Sequence, residues 1–237
     1  MTNIAAQTKY APQSMNDVVF NDPNTEFFLK KIALGEMPCT HLMLYGTSGN
    51  GKTCIANIIS ELLTRNSGLL LKYSIEDFLK LNDLEVILSN TITFYAENST
   101  DRCVIVFHEL DKHRGSLARL WTIMDDYEKS LMVIFTTNNP IDFEAPVISR
   151  CDKYEFTQIP PVAFANRAQH ILSIEGISLS RSEVIHYLTT YTGHMCDVRD
   201  YMRTIDKIIA LNAAGRLPPA AQTRNIQSKP TLTVAKK

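Results

Sequence analysis

Gly46-Thr47-Ser48-Gly49-Asn50-Gly51-Lys52-Thr53 fills every fixed position of the pattern G-x-x-x-x-G-K-[ST]. Its residue types match the chemistry of holding a chain of phosphates. The glycines let the backbone pass close to phosphate oxygens, and N–H groups exposed at a helix start supply partial positive charge. Lys52 has the reach to meet the terminal phosphates, and the Thr53 hydroxyl suits Mg²⁺. Such an element, with Cys54 directly after it, predicts binding of a nucleoside triphosphate, with ATP the first candidate.

A second set of residues could activate water. The apolar run Val104 to Phe107 ends in His108-Glu109-Leu110-Asp111, where a nucleotide hydrolase needs one acid beside the metal and one to orient the attacking water. Glu109 is placed as the water-polarising base. His108 stands where a metal-associated aspartate is expected; a neutral imidazole can accept a hydrogen bond from a metal-bound water but lacks a carboxylate's charge. Further on come Asn138, an amide able to hold a water, and Arg150, a cation able to neutralise charge on a γ-phosphate. Taken singly, each is an ordinary surface residue; a solvated strand end accounts for Glu109 and Asp111 as well.

These groups need elements to position them. His41 to Tyr45 is an apolar segment leading into the glycines, and Cys54 to Leu63 has helical apolar spacing, so the phosphate motif lies between strand and helix. Cys103 to Phe107 and Leu131 to Thr136 read as buried strands of a parallel sheet, with room for a helical crossover over Gly115 to Tyr127. The pattern predicts an α/β domain over 1–158. After Pro160-Pro161, the segments Val162–Glu175, Ser180–Thr192 and Asp197–Ala213 carry helical spacing, a small helical domain over 159–214. The polar stretch 215–237 reads as a mobile tail.

Composition bounds the rest. The chain has 237 residues, 45% of them hydrophobic and 21% charged, enough for a sizeable core. A net charge of −1 gives no global positive field for nucleic acid, leaving local clusters such as Lys112, His113 and Arg114, which read equally as a solvated loop. No apolar run approaches the roughly 20 residues that span a bilayer, and Met1 to Gln13 lacks a signal peptide's apolar core, so a cytoplasmic protein is expected. The five cysteines are spread singly and read as reduced structural thiols.

Together these residues resemble AAA+ ATPases and, within them, the ATPase subunits of sliding-clamp loaders, especially the large subunit of phage clamp loaders and the small subunits of replication factor C. The resemblance covers about residues 9 to 210. Lys9-Tyr10-Ala11-Pro12 followed by Asp17-Val18-Val19 is similar to the family's K-Y-R-P…D-I-V segment, with Ala11 in the arginine's place; it implies Tyr10, Pro12, Val18 and Val19 around an adenine base. Met37-Pro38 before the first strand is similar too. Val104 to Asp111 resembles the Walker B pattern of four apolar residues and D-E-x-D, with His108 at the first acid.

Asn138 falls on the family's sensor-1 asparagine, and Ser149-Arg150-Cys151 on its S-R-C signature, whose arginine reaches a neighbouring subunit's ATP. Asp197-Val198-Arg199 resembles G-D-x-R, with Cys196 replacing glycine, and makes Arg199 the sensor-2 arginine in the same chain. The resemblance implies ATP and Mg²⁺ as cofactors. Other clamp-loader subunits, a sliding clamp touching Ser74 to Tyr95, and primer–template DNA are the implied partners. It also implies a third, collar domain, into which this sequence does not continue, and paired arginines where Leu120-Trp121-Thr122 stands; Trp121 is expected to pack. Two alternatives stay open: a nucleotide-dependent switch with weak hydrolysis, and a remodeller of the helicase-loader type.

Overall fold

The computed structural model describes residues 4–64, 69–74, 90, 103–108, 117–139, 144–192 and 197–219. Its centre is a five-stranded sheet in the order β2-β3-β4-β1-β5, comprising β1 (His41–Gly46), β2 (Leu70–Ser74), β3 (Cys103–His108), β4 (Leu131–Thr137) and β5 (Cys151–Phe156). Every neighbouring pair is parallel. Strands β3 and β4 are continuous apolar runs because both of their faces are covered.

Side-chain alternation sorts the core into two layers. On one face Leu42, Leu44, Val104, Val106 and Ile134 pack under the helices α2 (Pro23–Ala33) and α3 (Lys52–Leu63). On the other, Met43, Ile105, Phe107, Val133 and Phe135 meet α4 (Ala118–Asp126) and Val147 of α5 (Ala145–Ser149). The helical crossover expected between Gly115 and Tyr127 is α4.

Two strands escaped the apolar-run criterion. In β5 only Cys151 and Phe156 are buried, since it is the sheet edge and Asp152, Lys153 and Glu155 face outward. β2 is the opposite edge, with Leu70 and Leu71 half-buried.

A third cluster is helical: α6 (Pro161–Ile174), α7 (Arg181–Tyr191) and α8 (Val198–Ala213), each within a residue or so of the segment its spacing marked. Ser180 and Glu183 form a reciprocal capping box at α7, and Asp197 caps α8 by accepting from the Asp200 N–H. Phe164 stacks on Tyr201, whose hydroxyl donates to the Ile159 carbonyl at 2.6 Å. The N-terminal segment joins this cluster: Ala6, Tyr10 and Val19 pack into it, and the Ala6 N–H of α1 (Ala6–Lys9) donates to Asp206 at 2.9 Å.

Candidate functional site

The loop after β1 is built by positions that reject a side chain. Gly46 has φ +122°, and a Cβ there would stand 2.3 Å from the Phe156 carbonyl oxygen of β5. Gly49 has φ +80°, and its Cβ would stand 2.3 Å from Oδ2 of Asp197, the residue capping α8. The left-handed Gly51 precedes α3 with no side-chain cap, so the first N–H groups of that helix remain available to an anion.

Lys52 is buried and folds across the same loop. Its Nζ donates to the carbonyls of Gly46 and Thr47, both at 2.8 Å, and to Oδ1 of Asn138 at 3.1 Å. The sheet explains that last contact: β1 lies beside β4, with Tyr45 opposite Thr137, so Asn138 leaves β4 next to the loop leaving β1. Asn50 is buried as well, its amide donating to the Thr47 hydroxyl.

These groups face a cavity of about 550 Å³ between the sheet and the helical cluster. Ser48 through Cys54 line one wall and Asn138 its floor, Tyr10, Pro12, Val18 and Val19 close the opposite end, and Arg199 enters from the first turn of α8. Residues separated by most of the chain thus meet in one place. Gly46 and Thr47 stand behind this wall, their carbonyls anchoring Lys52.

Sequence reasoning missed Asn57, Phe164, Arg167 and Met202, all on the cavity wall. Arg167 donates to Asp17 at 2.9 Å and to the Tyr10 carbonyl at 3.3 Å, and thereby ties the N-terminal segment to α6. Its signal was faint: a cation beside the apolar stripe Phe164, Ala168 and Ile171. Burial opposes ionisation of Asp17, yet hydrogen bonds from Ser14 and Gln13 and the charge of Arg167 hold its carboxyl below the usual range. Glu175 is lowered likewise by hydrogen bonds from Lys9 at 2.7 Å and Tyr10 at 2.5 Å.

Arg150 lies outside this cavity, at the end of α5, with Asp125 of α4 as its carboxylate partner. Trp121 packs against the core and carries the Arg150 guanidinium 5.4 Å from its ring centre. His108 ends β3, half-buried, opposite Ser74 of β2. Glu109, Asp111, Lys112, His113, Arg114 and Cys196 lie outside the described residues, as does nearly all of the segment Ser74 to Tyr95. Among the described residues no three His, Cys, Asp or Glu side chains cluster to hold a metal, and no helix is long and apolar enough to cross a membrane. Cys54, Cys103 and Cys151 are free thiols; burial pushes Cys103 and Cys151 up to about 12.

Residues 42–159 match the family described as "ATPase family associated with various cellular activities (AAA)". The replication factor C small subunit 1 of Pyrobaculum arsenaticum is 28% identical over 180 residues, 72% of this chain and 52% of that protein. Replication factor C subunit 4 of Caenorhabditis elegans is 23% identical over 224 residues, 87% of this chain and 63% of that one. The chain therefore spans between 52% and 63% of these relatives' length. In fold it is similar to the Thermotoga maritima RuvB Holliday junction branch migration motor, with TM-score 0.63 and 15% identity over 87% of this chain and 67% of that one.

Proposed function

We propose that the chain, whose residues 42–159 match the AAA ATPase family and which is similar to replication factor C small subunits over most of its length, is an ATP-binding and ATP-hydrolysing subunit of a sliding-clamp loader. It acts with further clamp-loader subunits to place a clamp on primer–template DNA, in the cytoplasm. One observation carries the reading: the phosphate loop, the N-terminal segment, Asn138 and Arg199 converge on one cavity, while Arg150 lies outside it. Residues 1–158 form the nucleotide-binding domain, 159–214 the lid and 215–237 a tail, an arrangement supported by the separate core of α6 to α8.

Each residue has a task. The helix start after Gly51 and Lys52 hold the phosphates, and exchange of Lys52 from loop carbonyls to phosphate oxygens trades neutral acceptors for charged ones. Asn138, already beside Lys52, positions the attacking water, and Glu109 takes its proton. Arg199 neutralises γ-phosphate charge from the lid, so closure of α8 and hydrolysis are linked. Tyr10, Pro12, Val18 and Val19 hold the base, and Arg150 acts on a neighbour's nucleotide.

The site suits Mg²⁺ bound chiefly through phosphate and water, with the exposed Thr53 hydroxyl as the protein ligand and His108 near it through water. When bound, the ion neutralises charge on the β- and γ-phosphate oxygens.

The decisive experiment mixes subunits. Mass measurement with ATP establishes co-assembly with a partner clamp-loader subunit, and ATPase stimulated by clamp and DNA is then read for Arg150→Ala. Turnover should fall by about 10³-fold or more, the usual worth of an arginine supplied in trans, while nucleotide affinity of the isolated chain stays the same. Unaltered turnover in the assembled complex overturns the assignment. His108 favours a second reading, a nucleotide-dependent switch with weak turnover; binding to a replicative helicase rather than a clamp would mark a helicase-loader-type remodeller.

A further inference from the structure

We infer that Asn57 reads the base, selecting a purine that carries an amino group at its 6-position. The inference rests on the cavity being a nucleoside triphosphate site and goes beyond it by assigning the discrimination between bases to one side chain.

Asn57 lies on α3, one turn beyond Cys54, and the three-residue spacing puts both on the same helix face. The Cys54 thiol donates to the Pro12 carbonyl at 3.8 Å, which fixes this stretch of α3 beside the N-terminal segment, away from the phosphate loop. Asn57 lines the same cavity. Its Oδ1 is buried and accepts no hydrogen bond, although Ser60 satisfies the backbone carbonyl of the same residue at 2.8 Å.

Of the other polar side chains at this end, Asp17 and Arg167 are engaged with each other, and Gln7 of α1 is exposed to solvent. Asp17 accepts from Arg167, Ser14 and Gln13, and Arg167 is spent on Asp17 and the Tyr10 carbonyl. The remaining wall is apolar: Pro12, Val18, Val19, Phe164 and Met202. A buried amide oxygen among such groups is disfavoured until a donor meets it. Adenine offers that donor in its exocyclic amine, whereas guanine presents a carbonyl oxygen at the same place, which the amide could meet only by turning its Nδ2 inward in place of Oδ1. An apolar slot with one polar group is how a small-molecule site takes shape first and identity second.

The test is calorimetric titration of the full chain with ATP, with purine riboside triphosphate, which lacks the amino group, and with GTP. The wild-type chain should bind ATP about tenfold more tightly than purine riboside triphosphate, the order expected when one buried acceptor loses its donor, and GTP more weakly still. Asn57→Leu should erase the difference between the first two by weakening ATP alone. Asn57→Asp, which keeps an acceptor and cannot offer a donor, should retain the preference for ATP while all affinities fall from the added charge.

Persistence of the wild-type preference in Asn57→Leu overturns the inference, as does equal binding of ATP and purine riboside triphosphate by the wild-type chain. Either result leaves the triphosphate site standing. Absence of binding by every triphosphate overturns both.

Discussion

Arg150 and Asp125 form a fork: Nε of the arginine donates to one carboxylate oxygen at 2.5 Å and Nη2 to the other at 2.6 Å. The third nitrogen donates to the Pro146 carbonyl at 2.7 Å, and the Trp121 ring lies under the guanidinium. An arginine that acts on a neighbouring subunit's phosphate must therefore leave a carboxylate of its own chain. Because the pair is open to water, the restraint is weak. Asp125→Asn should raise the turnover of the assembled complex by a few fold at most, with no change for the chain alone and little shift in Tm. A fall in assembled turnover would show that Asp125 aims Arg150 rather than detains it.

Gly49 couples the phosphate loop to the lid. With φ +80° and a Cβ that would meet Asp197 at 2.3 Å, Gly49→Ala strains the loop and pushes the start of α8 away, carrying Arg199 with it. ATP affinity should drop by at least tenfold, and turnover should fall further, since both phosphate wall and Arg199 move. Gly215→Ala, also at positive φ but with open space around its Cβ, should leave ATP affinity unchanged.

The phosphate loop was legible because its glycines, lysine and threonine are fixed by local chemistry at fixed spacing. Strands β1, β3 and β4 were legible because burial on both faces leaves only apolar residues. The edge strand β5 was not, since outward-facing Asp152, Lys153 and Glu155 interrupt the run. Arg167, with only a faint signal, and Asn57, with none, went unread for another reason. Their importance comes from what α3, α6 and the N-terminal segment bring together, and a polar residue on a helix flank has no local pattern to distinguish it from a solvated one.

Acid should loosen the N-terminal segment from the lid. Asp17 has a folded-state pKa below its unfolded value, which lies at about 4. Its contribution to stability is thus fully present above about pH 4 and is lost as pH falls through the lowered folded value. Glu175, depressed through Lys9 and Tyr10, acts in the same direction. In thermal melts, the Tm gap between wild type and Asp17→Asn should be constant from about pH 5 to 7 and close below about pH 4. A gap that widens in acid would contradict the sign of this linkage.

Tyr201 pins the lid to the chain leaving the sheet. Its ring stacks on Phe164, and its hydroxyl satisfies the Ile159 carbonyl in a buried setting. Tyr201→Phe keeps the stacking and strands the carbonyl, for a loss of about 1–2 kcal/mol. Denaturant unfolding should show a lower midpoint with an unchanged m value.

The proposed role of His108 makes the rate of turnover testable. This histidine ends β3, one residue before the proposed base Glu109, where a carboxylate would add a full negative charge. An imidazole can exchange hydrogen bonds with a metal-bound water there but brings no carboxylate charge. His108→Asp should raise kcat of the assembled complex several-fold and lower the Mg²⁺ concentration for half-maximal turnover, leaving ATP binding without Mg²⁺ unchanged or slightly weaker. An unchanged kcat with an unchanged Mg²⁺ requirement would mean that Thr53 and the phosphates suffice to hold the ion, and would place the limiting step of the cycle elsewhere, in lid closure or subunit rearrangement.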